Sequence, residues 1–438
     1  MTQLVFHHDI EQLKNLPNNV VPVQLYGTGD KNLQIANIGN KVLDSVRRLG
    51  AGLNDQVMDF LTIAMAVTAA DTFVLRKDTA NGWCRSFSIT LPLCQPDIWQ
   101  ASKAHLEQIL HFLSGDIWQF DFQENGQFPP RPYSQNGRAK LVDLRNKDCV
   151  CLFSGGLDSA IGAIDLLELG YSPVLVSHSY KGDRSRQQAI IQQLNQNGYI
   201  NQFSQFNAIA QPHLNNGRTT EITMRTRSLN FLAFAIASAY ALQEVVQEEI
   251  DVFVPENGVI SINAPLTARR VGTLSTRTTH PYFIQEIQKL FTAINIPFTL
   301  KNPYQFKTKG QMIEKCRNLP LLQEIIPSTV SCSHWKRKNQ QCGVCVPCLI
   351  RRASLHYAGM TNDAEYEFND IRQILTNQDR KDDLFALISA IRQKNHRNMN
   401  QWVLQSGSLP IQQLNQFADV FMNGLNEVEQ LLIANRIL

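Results

Sequence analysis

Short apolar runs alternate with segments of helical periodicity through the middle of the chain. Residues 148–153 form a compact apolar run, and residues 158–169 repeat isoleucine and leucine at helical spacing before a glycine suited to a helix C-cap. Residues 172–177 are strand-like again. The same order continues over residues 184–208, 220–255 and 282–300. This alternation predicts an α/β fold in which a parallel sheet is covered by helices on both faces.

The two flanks of this region have other patterns. Before it, helical and strand-like segments are mixed, which predicts an α+β arrangement. The helical segments cover 54–70 and 97–113, and the strand-like ones cover 83–91 and 116–122. After residue 359 there is no convincing strand. Amphipathic helices are predicted there over 382–394 and 411–436.

A stretch rich in Pro, Gly, Asn and Ser, residues 124–138, lies between the first flank and the middle region and predicts a linker or a long loop. The full length of 438 residues also exceeds what one hydrophobic core usually organises. We therefore expect an N-terminal α+β accessory domain (1–125), a linker (126–147), an α/β domain (148–360) and a C-terminal helical region (361–438).

Composition excludes several classes of protein. With 43% apolar and 18% charged residues, the chain can bury a large core, so disorder over its whole length is excluded. A net charge of +3 gives no reason to expect a nucleic acid or a membrane surface as partner. The longest apolar stretches, 61–70 and 231–242, are shorter than the roughly 20 residues of a membrane helix. The first ten residues also lack the features of a signal peptide, so we expect a cytoplasmic protein.

A glycine-containing loop follows the first apolar run and opens the next helix. Its residues are Ser154, Gly155, Gly156, Leu157, Asp158 and Ser159. Paired glycines let the backbone turn tightly and expose N–H groups, and the helix start adds its positive dipole end, so we predict a phosphate-binding loop. It is neither a Walker A loop nor GxGxxG. The serines would add hydroxyl donors, and Asp158 would help to hold Mg²⁺; the alternative is an ordinary turn in which Asp158 caps the helix.

Four of the nine cysteines fall within seventeen residues: Cys332, Cys342, Cys345 and Cys348. Thiolates at these spacings let one chain surround a single ion, and Gly343 allows a tight turn after the second of them. A structural zinc site is the first interpretation. An iron–sulfur cluster is the alternative, because Cys-x2-Cys-x2-Cys also suits a cubane, and unligated thiols are a third possibility.

The sequence Ser-Gly-Gly-Leu-Asp-Ser after a short strand resembles the loop of the PP-loop ATP pyrophosphatases. Together with the cysteine cluster some 170 residues later, it resembles the QueC, or 7-cyano-7-deazaguanine synthase, family over about residues 148–360. The resemblance implies the PP-loop fold of the adenine nucleotide alpha-hydrolase type. It also implies an enzyme that uses ATP and Mg²⁺ to adenylate the carboxylate of 7-carboxy-7-deazaguanine, a deazapurine, and then joins it to ammonia.

The resemblance also implies roles for single residues. The loop would bind ATP and the departing pyrophosphate. The catalytic residues would be Asp158, Lys309 and Arg227, and the substrate-binding residues would be Glu256, Asn257, Arg277, Thr279 and His280. His280 stands where the family has an arginine, so it is either a proton acceptor for an attacking amine or a structural histidine. For each cation, a solvated surface position is the alternative.

About 145 residues before the matched region and about 80 after it are surplus to an ordinary member of the family. This layout resembles the QatC-type branch of QueC-like proteins in antiphage defence operons. That resemblance implies transfer of the activated deazapurine to an amine of a partner protein instead of to ammonia. The alternatives are an ordinary nitrile-forming synthase, a non-catalytic nucleotide-sensing module, and a tRNA-thiolating enzyme that would need a catalytic thiol such as Cys316.

Overall fold

The structure is a computed structural model that describes residues 1–134, 136–178, 183–215, 217, 219–221, 225–268, 277–335 and 340–438. The strands within these residues are β1 (Thr2–His7), β2 (Val20–Leu25), β3 (Ala36–Ile38), β4 (Ser86–Pro92), β5 (Ile117–Gln123), β6 (Cys149–Leu152), β7 (Pro173–His178), β8 (Ser204–Ala208), β9 (Asp251–Phe253) and β10 (Thr299–Lys301). The strands form two separate sheets.

The α-helices are α1 (Val42–Arg47), α2 (Asp55–Phe73), α3 (Pro96–Ser114), α4 (Leu157–Glu168), α5 (Asp183–Leu194), α6 (Arg227–Val246), α7 (Gly258–Ile262), α8 (Pro281–Ala293), α9 (Lys309–Glu314), α10 (Leu319–Ile325), α11 (Val346–Tyr357), α12 (Gln373–Thr376), α13 (Asp382–Gln393), α14 (Met399–Leu404) and α15 (Leu414–Ala434). Single turns of 3-10 helix cover Ile10–Leu13, Arg76–Asp78, Ile326–Ser328 and Ile411–Gln413. A π-helical turn, Asn195–Tyr199, follows α5.

Both sheets are parallel throughout and have the same strand order. The first runs β3-β2-β1-β4-β5 and the second β10-β9-β6-β7-β8, so in each the earliest strand of the unit lies in the middle. This order reverses direction beside the central strand, which is where parallel sheets open a crevice at the carboxyl ends of their strands. The α/β fold predicted for the middle of the chain is confirmed.

The N-terminal region is also α/β, so the α+β arrangement predicted for it is wrong. The strands β1 to β3 precede the helices recognised from the sequence and make the sheet parallel and alternating. Their pattern was hard to recognise because Pro22 interrupts β2 and β3 has only three residues. Proline is normally excluded from sheet interiors since it lacks the N–H that a ladder uses.

The two sheets share one hydrophobic core. In α2, 16 of 19 residues are buried, because this helix packs between the first sheet and α6 of the second. The rings of Phe60 in α2 and Phe291 in α8 meet edge to face with centroids 5.1 Å apart. The boundary expected near residues 125–148 separates the two sheets, which share this core, while the other face of the second sheet has a separate core formed with α4, α5 and α10.

The C-terminal helices pack around the cysteine cluster in a second core. Residues 361–438, all described, contain helices and no named strand, and α13 and α15 lie where the sequence predicted amphipathic helices. Trp402 of α14 is buried in this core and donates from Nε1 to the carbonyl of Pro265 at 2.8 Å. The region is thus joined to the second sheet through side chains as well as through the chain.

Helix α6 is long and apolar enough to cross a membrane by length and composition. It is nevertheless a core helix, because 72% of its apolar window is buried inside the protein. The sequence predicted this helix from residue 220, but it begins at Arg227, and Thr226 is its N-cap.

Candidate functional site

The predicted phosphate loop lies at the crevice of the second sheet. It connects the end of central strand β6 to α4, and β9 follows on the opposite side of β6 from β7. Gly155 has φ +82°, and a Cβ there would come 2.9 Å from Cγ of Gln187, so glycine is required. Gly156 is the N-cap of α4 and offers no side chain to its first N–H groups. These donors and the helix dipole favour an anion at this position.

The loop is held by hydrogen bonds from three sides. Ser159 Oγ donates to the carbonyl of Gly156 at 2.9 Å and lies 3.2 Å from Ser154 Oγ. Gln187 Nε2 donates to the carbonyl of Ser154 at 3.1 Å, and the N–H of Val330 donates to the carbonyl of Gly155 at 3.1 Å. The backbone turn is therefore fixed while both serine hydroxyls stay at the pocket wall.

The loop borders a cavity of about 410 Å³, a volume in the range of small-molecule sites. Its lining combines apolar residues, several of them from α6 and α8, with polar ones. The apolar residues include Phe231, Leu232, Val254 and Ile284, and the polar ones include Ser154, Ser159, Arg227, Glu256, Thr278, Thr279, Ser331 and Ser333. Cys332 is also part of the lining, so the cysteine cluster contributes to the pocket wall.

Beneath the loop, Asp158 forms a buried ion pair with Lys309 of α9. Asp158 also accepts hydrogen bonds from the N–H and Nδ2 of Asn257, at 3.1 and 2.6 Å. Burial opposes its ionisation, but the Lys309 charge and hydrogen bonds from Glu256, Lys309 and Asn257 outweigh burial and hold the pKa of Asp158 well below its usual range. Glu256 lines the cavity, whereas Asp158, Lys309 and Asn257 do not.

Glu256 is the carboxyl group of this cluster that faces the pocket. Its enclosed position, followed by the negative charge of Asp158 and the hydrogen bond between the two carboxyls, raises the pKa of Glu256 well above its usual range. The proton of the pair is therefore favoured on Glu256 and the negative charge on Asp158. A cation at the pocket wall would displace that proton and turn Glu256 into a carboxylate.

A buried residue that no sequence pattern indicates, Glu427 of α15, supports the turn that carries Lys309. Glu427 of α15 is buried, and its carboxylate accepts hydrogen bonds from Thr308 Oγ1, Ser354 Oγ (3.1 Å) and the N–H of Gly310 (3.3 Å). Burial raises its pKa. Thr308 caps α9 in a capping box with Gln311, so Glu427 fixes the turn from which Lys309 projects.

Arg227 and Thr279 lie at the pocket wall. Arg227 Nη2 donates to the carbonyl of His178 at the end of β7 at 3.1 Å, and its guanidinium lies over the Phe231 ring at 5.3 Å. Leu157, by contrast, is buried in the core below the loop, so only its backbone belongs to the anion site.

His280 and Arg277 lie away from the cavity, which corrects their assignment to substrate binding. His280 is completely buried, caps α8 by accepting at Nδ1 from the N–H of Tyr282 (3.1 Å), and contacts Ser406 Oγ through Nε2 at 3.0 Å. Burial, and to a lesser degree the Arg277 charge, lowers its pKa to about 3, so it is neutral. Arg277 donates to the carbonyl of Phe112 and lies over that ring. His280 thus joins the start of α8 to the C-terminal region, and Arg277 joins the same segment to α3.

The four cysteines converge on one point with all Sγ atoms within 4.8 Å of one another. The pairs Cys342–Cys348 and Cys345–Cys332 are 3.9 and 4.0 Å apart. Zn–S bonds of about 2.3 Å in a tetrahedron require about 3.8 Å between sulfurs, so the site fits one zinc ion. A cubane would hold the thiolates further apart, since its irons and sulfides lie between them.

Local backbone geometry supports the metal site. The N–H groups of His334 and Cys342 point to Cys332 Sγ at 3.3 Å each, which suits a thiolate acceptor. Gly343 has φ +77°, and a Cβ there would come 2.6 Å from the carbonyl of Phe368. The four cysteines would hold zinc as a closed structural centre, and the ion would stabilise the pocket wall at Cys332.

Cys316, the thiol that a tRNA-thiolating enzyme would need, lies in a different core from the cysteine cluster and does not line the cavity. Burial, reinforced by Asp165, raises its pKa to about 12, so it is a thiol at neutral pH. A thiolate is the nucleophilic form of cysteine, so this position does not favour sulfur transfer.

Comparison with known proteins gives two matches. The family model for the queuosine biosynthesis protein QueC matches residues 278–359, a segment that includes Thr279, Lys309 and the four cysteines. The 7-cyano-7-deazaguanine synthase of Sulfurimonas denitrificans is 21% identical over 235 residues, which cover 51% of this chain and 100% of that protein. No solved structure matches the chain.

Proposed function

We propose that this chain, which is QueC-like, adenylates the carboxylate of a 7-deazaguanine, with 7-carboxy-7-deazaguanine as the expected substrate. A carboxylate oxygen would attack the α-phosphorus of ATP, the bond to the β-phosphate oxygen would break, and pyrophosphate would leave. An amine would then attack the acyl carbon, release AMP and lose a proton to give an amide. The observation that carries this proposal is the paired-glycine loop at the start of α4, which borders a 410 Å³ cavity.

The leaving pyrophosphate is the group that the loop suits best. Its negative charge increases as the bond to the α-phosphorus breaks, so donors fixed in advance stabilise the transition state more than the ground state. The N–H groups at the start of α4 and the hydroxyl of Ser154 are such donors, and the Ser159 hydroxyl, which donates to the carbonyl of Gly156, holds the turn that presents them. Arg227, which lines the same cavity, would neutralise a further phosphate oxygen.

Mg²⁺ would enter with ATP, and Glu256 is the carboxyl group placed to contact it. Asp158 accepts from Lys309 on one oxygen and from Asn257 on the other, so its role would be to support the loop and Glu256. Both carboxyls of the pair are needed for this arrangement, because a cation near Glu256 is favoured by the negative charge of Asp158 behind it.

The apolar residues of the lining would contact the planar ring of the deazapurine. Phe231, Leu232 and Ile284 offer a surface for a fused ring, and the hydroxyls of Thr279 and Ser331 can pair with its polar edge. These apolar and hydroxyl groups would accept the adenine of ATP as well as the deazapurine. That both bases bind in this cavity is therefore part of the proposal.

We further propose that the acceptor amine belongs to a partner protein of an antiphage defence system. The support is the half of the chain that lies outside the matched length of the relative, together with the fact that its N-terminal part shares a hydrophobic core with pocket residues such as Leu232 and Val254. The second candidate is ammonia, with a nitrile as final product, and the name of the relative favours it. A non-catalytic nucleotide sensor would bind ATP at the same loop without releasing pyrophosphate.

Purified protein incubated with ATP, Mg²⁺ and 7-carboxy-7-deazaguanine, with ammonia or a candidate partner protein added, tests the proposal. Pyrophosphate release and product mass are measured. We expect release with the wild type and with Ser172→Ala, a serine outside the pocket, and loss with Ser159→Ala. A mass gain on the partner identifies conjugation, and the free nitrile identifies the ordinary synthase. Absence of pyrophosphate in every mixture would refute adenylation.

A further inference from the structure

Hydrogen bonds connect residues just before and at the start of α6 to helix α2, which packs on the N-terminal sheet. The N–H of Glu221 donates to the carbonyl of Thr72 at 2.8 Å, and Glu221 Oε2 accepts from the N–H of Arg76 at 2.9 Å. Further along, Thr226 Oγ1 donates to Asp71 Oδ2 at 2.7 Å. Asn230 Nδ2 then donates to Thr68 Oγ1 inside the shared core. The start of α6 thus takes its position from α2.

Asp71 is itself held in place by arginines. Arg85, completely buried, pairs with the Asp71 carboxylate and also donates from Nη1 to the Asp71 carbonyl at 2.7 Å. The same guanidinium pairs with Asp116 at 2.7 Å, and Arg76 contacts Asp116 at 2.8 Å. The carboxylates raise the pKa of Arg85 despite its burial. A buried network of this kind has few alternative arrangements, so the oxygen that accepts from Thr226 is at a defined point.

The hydroxyl of Thr226 contacts Asp71 and does not cap α6. Threonine at the N-cap of a helix ordinarily accepts a hydrogen bond from one of the first free N–H groups. Thr226 makes no such bond, although it is the N-cap of α6, and its hydroxyl is directed to Asp71 instead. The next residue is Arg227, whose side chain borders the cavity.

We infer that Asp71 and Thr226 are positioning residues for Arg227, so that the N-terminal sheet is part of the support of the active site. The inference rests on the proposed function, in which Arg227 contacts a phosphate. Two anchors then fix this arginine: the bond from Thr226 to Asp71 fixes its backbone, and the bond from Nη2 to the carbonyl of His178 fixes its side chain. A displacement of a fraction of an ångström at the backbone would move the guanidinium away from its phosphate.

The test uses Thr226→Val, which keeps the shape and removes the hydroxyl, because substitution of Asp71 would leave two buried arginines without their partner. In the pyrophosphate assay we expect kcat/KM for ATP to fall about tenfold. Thr226→Ser should restore it. The matched control is Ser238→Ala, which removes a buried hydroxyl of α6 that donates to Phe234 within the helix. This control should change kcat/KM by less than about twofold.

A double-mutant cycle with Arg227→Gln separates positioning from general stability. In the Arg227→Gln background, Thr226→Val should have no further effect on kcat/KM, since the residue that it positions is gone. Equal losses in both backgrounds, or wild-type kinetics for Thr226→Val beside an impaired Arg227→Gln, would overturn the inference. Wild-type kinetics for Arg227→Gln itself would instead remove Arg227 from the proposed function.

Discussion

Replacing Asp158 by Ala should destabilise the protein as well as inactivate it. The side chains of Asp158 and Lys309 are only 7% and 6% exposed, so the substitution leaves an ammonium group inside the protein without its counter-charge. Removing one partner of a buried pair costs about 3–5 kcal/mol. The backbone N–H and Nδ2 of Asn257 lose their acceptor at the same time. Since folded proteins are stable by about 5–15 kcal/mol, this is a large part of the total.

The double variant Asp158→Ala, Lys309→Met shows whether the loss comes from the uncompensated charge. Replacing both members by apolar groups removes the buried ion, so most of the lost stability should return, while pyrophosphate release should stay absent. Asp97→Ala, at an exposed carboxylate of α3, is the matched control and should cost less than about 1 kcal/mol. Urea denaturation followed by circular dichroism gives the free energies of unfolding.

Two results would refute this reasoning. The first is a stability of Asp158→Ala within about 1 kcal/mol of the wild type, since the pair would then be worth no more than an exposed one. The second is a double variant less stable than Asp158→Ala alone, because the charge of Lys309 would then not be the source of the loss.

Three more predictions concern other parts of the site. Cys345→Ser should lower the zinc content, measured by inductively coupled plasma mass spectrometry, and loosen the second core; wild type that contains iron or no metal would contradict this. The pKa of His280 is about 3 in the folded protein against 6.5 ordinarily, so its contribution is complete above pH 6.5 and lost as the pH falls toward 3. The stability difference from His280→Gln should therefore be constant above pH 6.5 and shrink by about 1.4 kcal/mol per unit below it; a pH-independent difference would contradict this. Glu427→Gln should cost about 1–3 kcal/mol in urea denaturation, because an amide NH₂ would face a donor; an unchanged midpoint would contradict this.

The glycine-containing loop and the cysteine cluster were predictable from the sequence because each is formed by residues that are close together in the chain. A paired-glycine turn between a strand and a helix, and four cysteines at close spacing, define the loop and the metal site from neighbouring residues alone. The helices and strands of the second sheet were predictable for the same reason, since hydrophobic periodicity reports which face of each element is buried.

Hydrophobic periodicity does not indicate which element packs on the buried face of a helix or strand. Contacts between residues far apart in the chain were therefore not predictable from the sequence. Glu427 is 119 residues from Thr308, and Asp71 is 155 residues from Thr226, so no local pattern links either pair. The chain position of His280 suits a substrate pocket, whereas the direction of its side chain is set by Phe112 and Ser406 from the two flanking regions. Long-range contacts of this kind depend on how layers stack, which the chain pattern leaves open.

Helix α2 has a consequence for how the chain is made. It is apolar on nearly all sides, and the helix that covers its second face, α6, ends about 170 residues later. At roughly 5–20 residues per second, synthesis would leave that face uncovered for roughly 10–35 s. During this time the first sheet can form but its outer helix has no partner. The newly made N-terminal half therefore carries an uncovered apolar helix face until α6 is complete, and a chaperone that binds this face would protect it from aggregation.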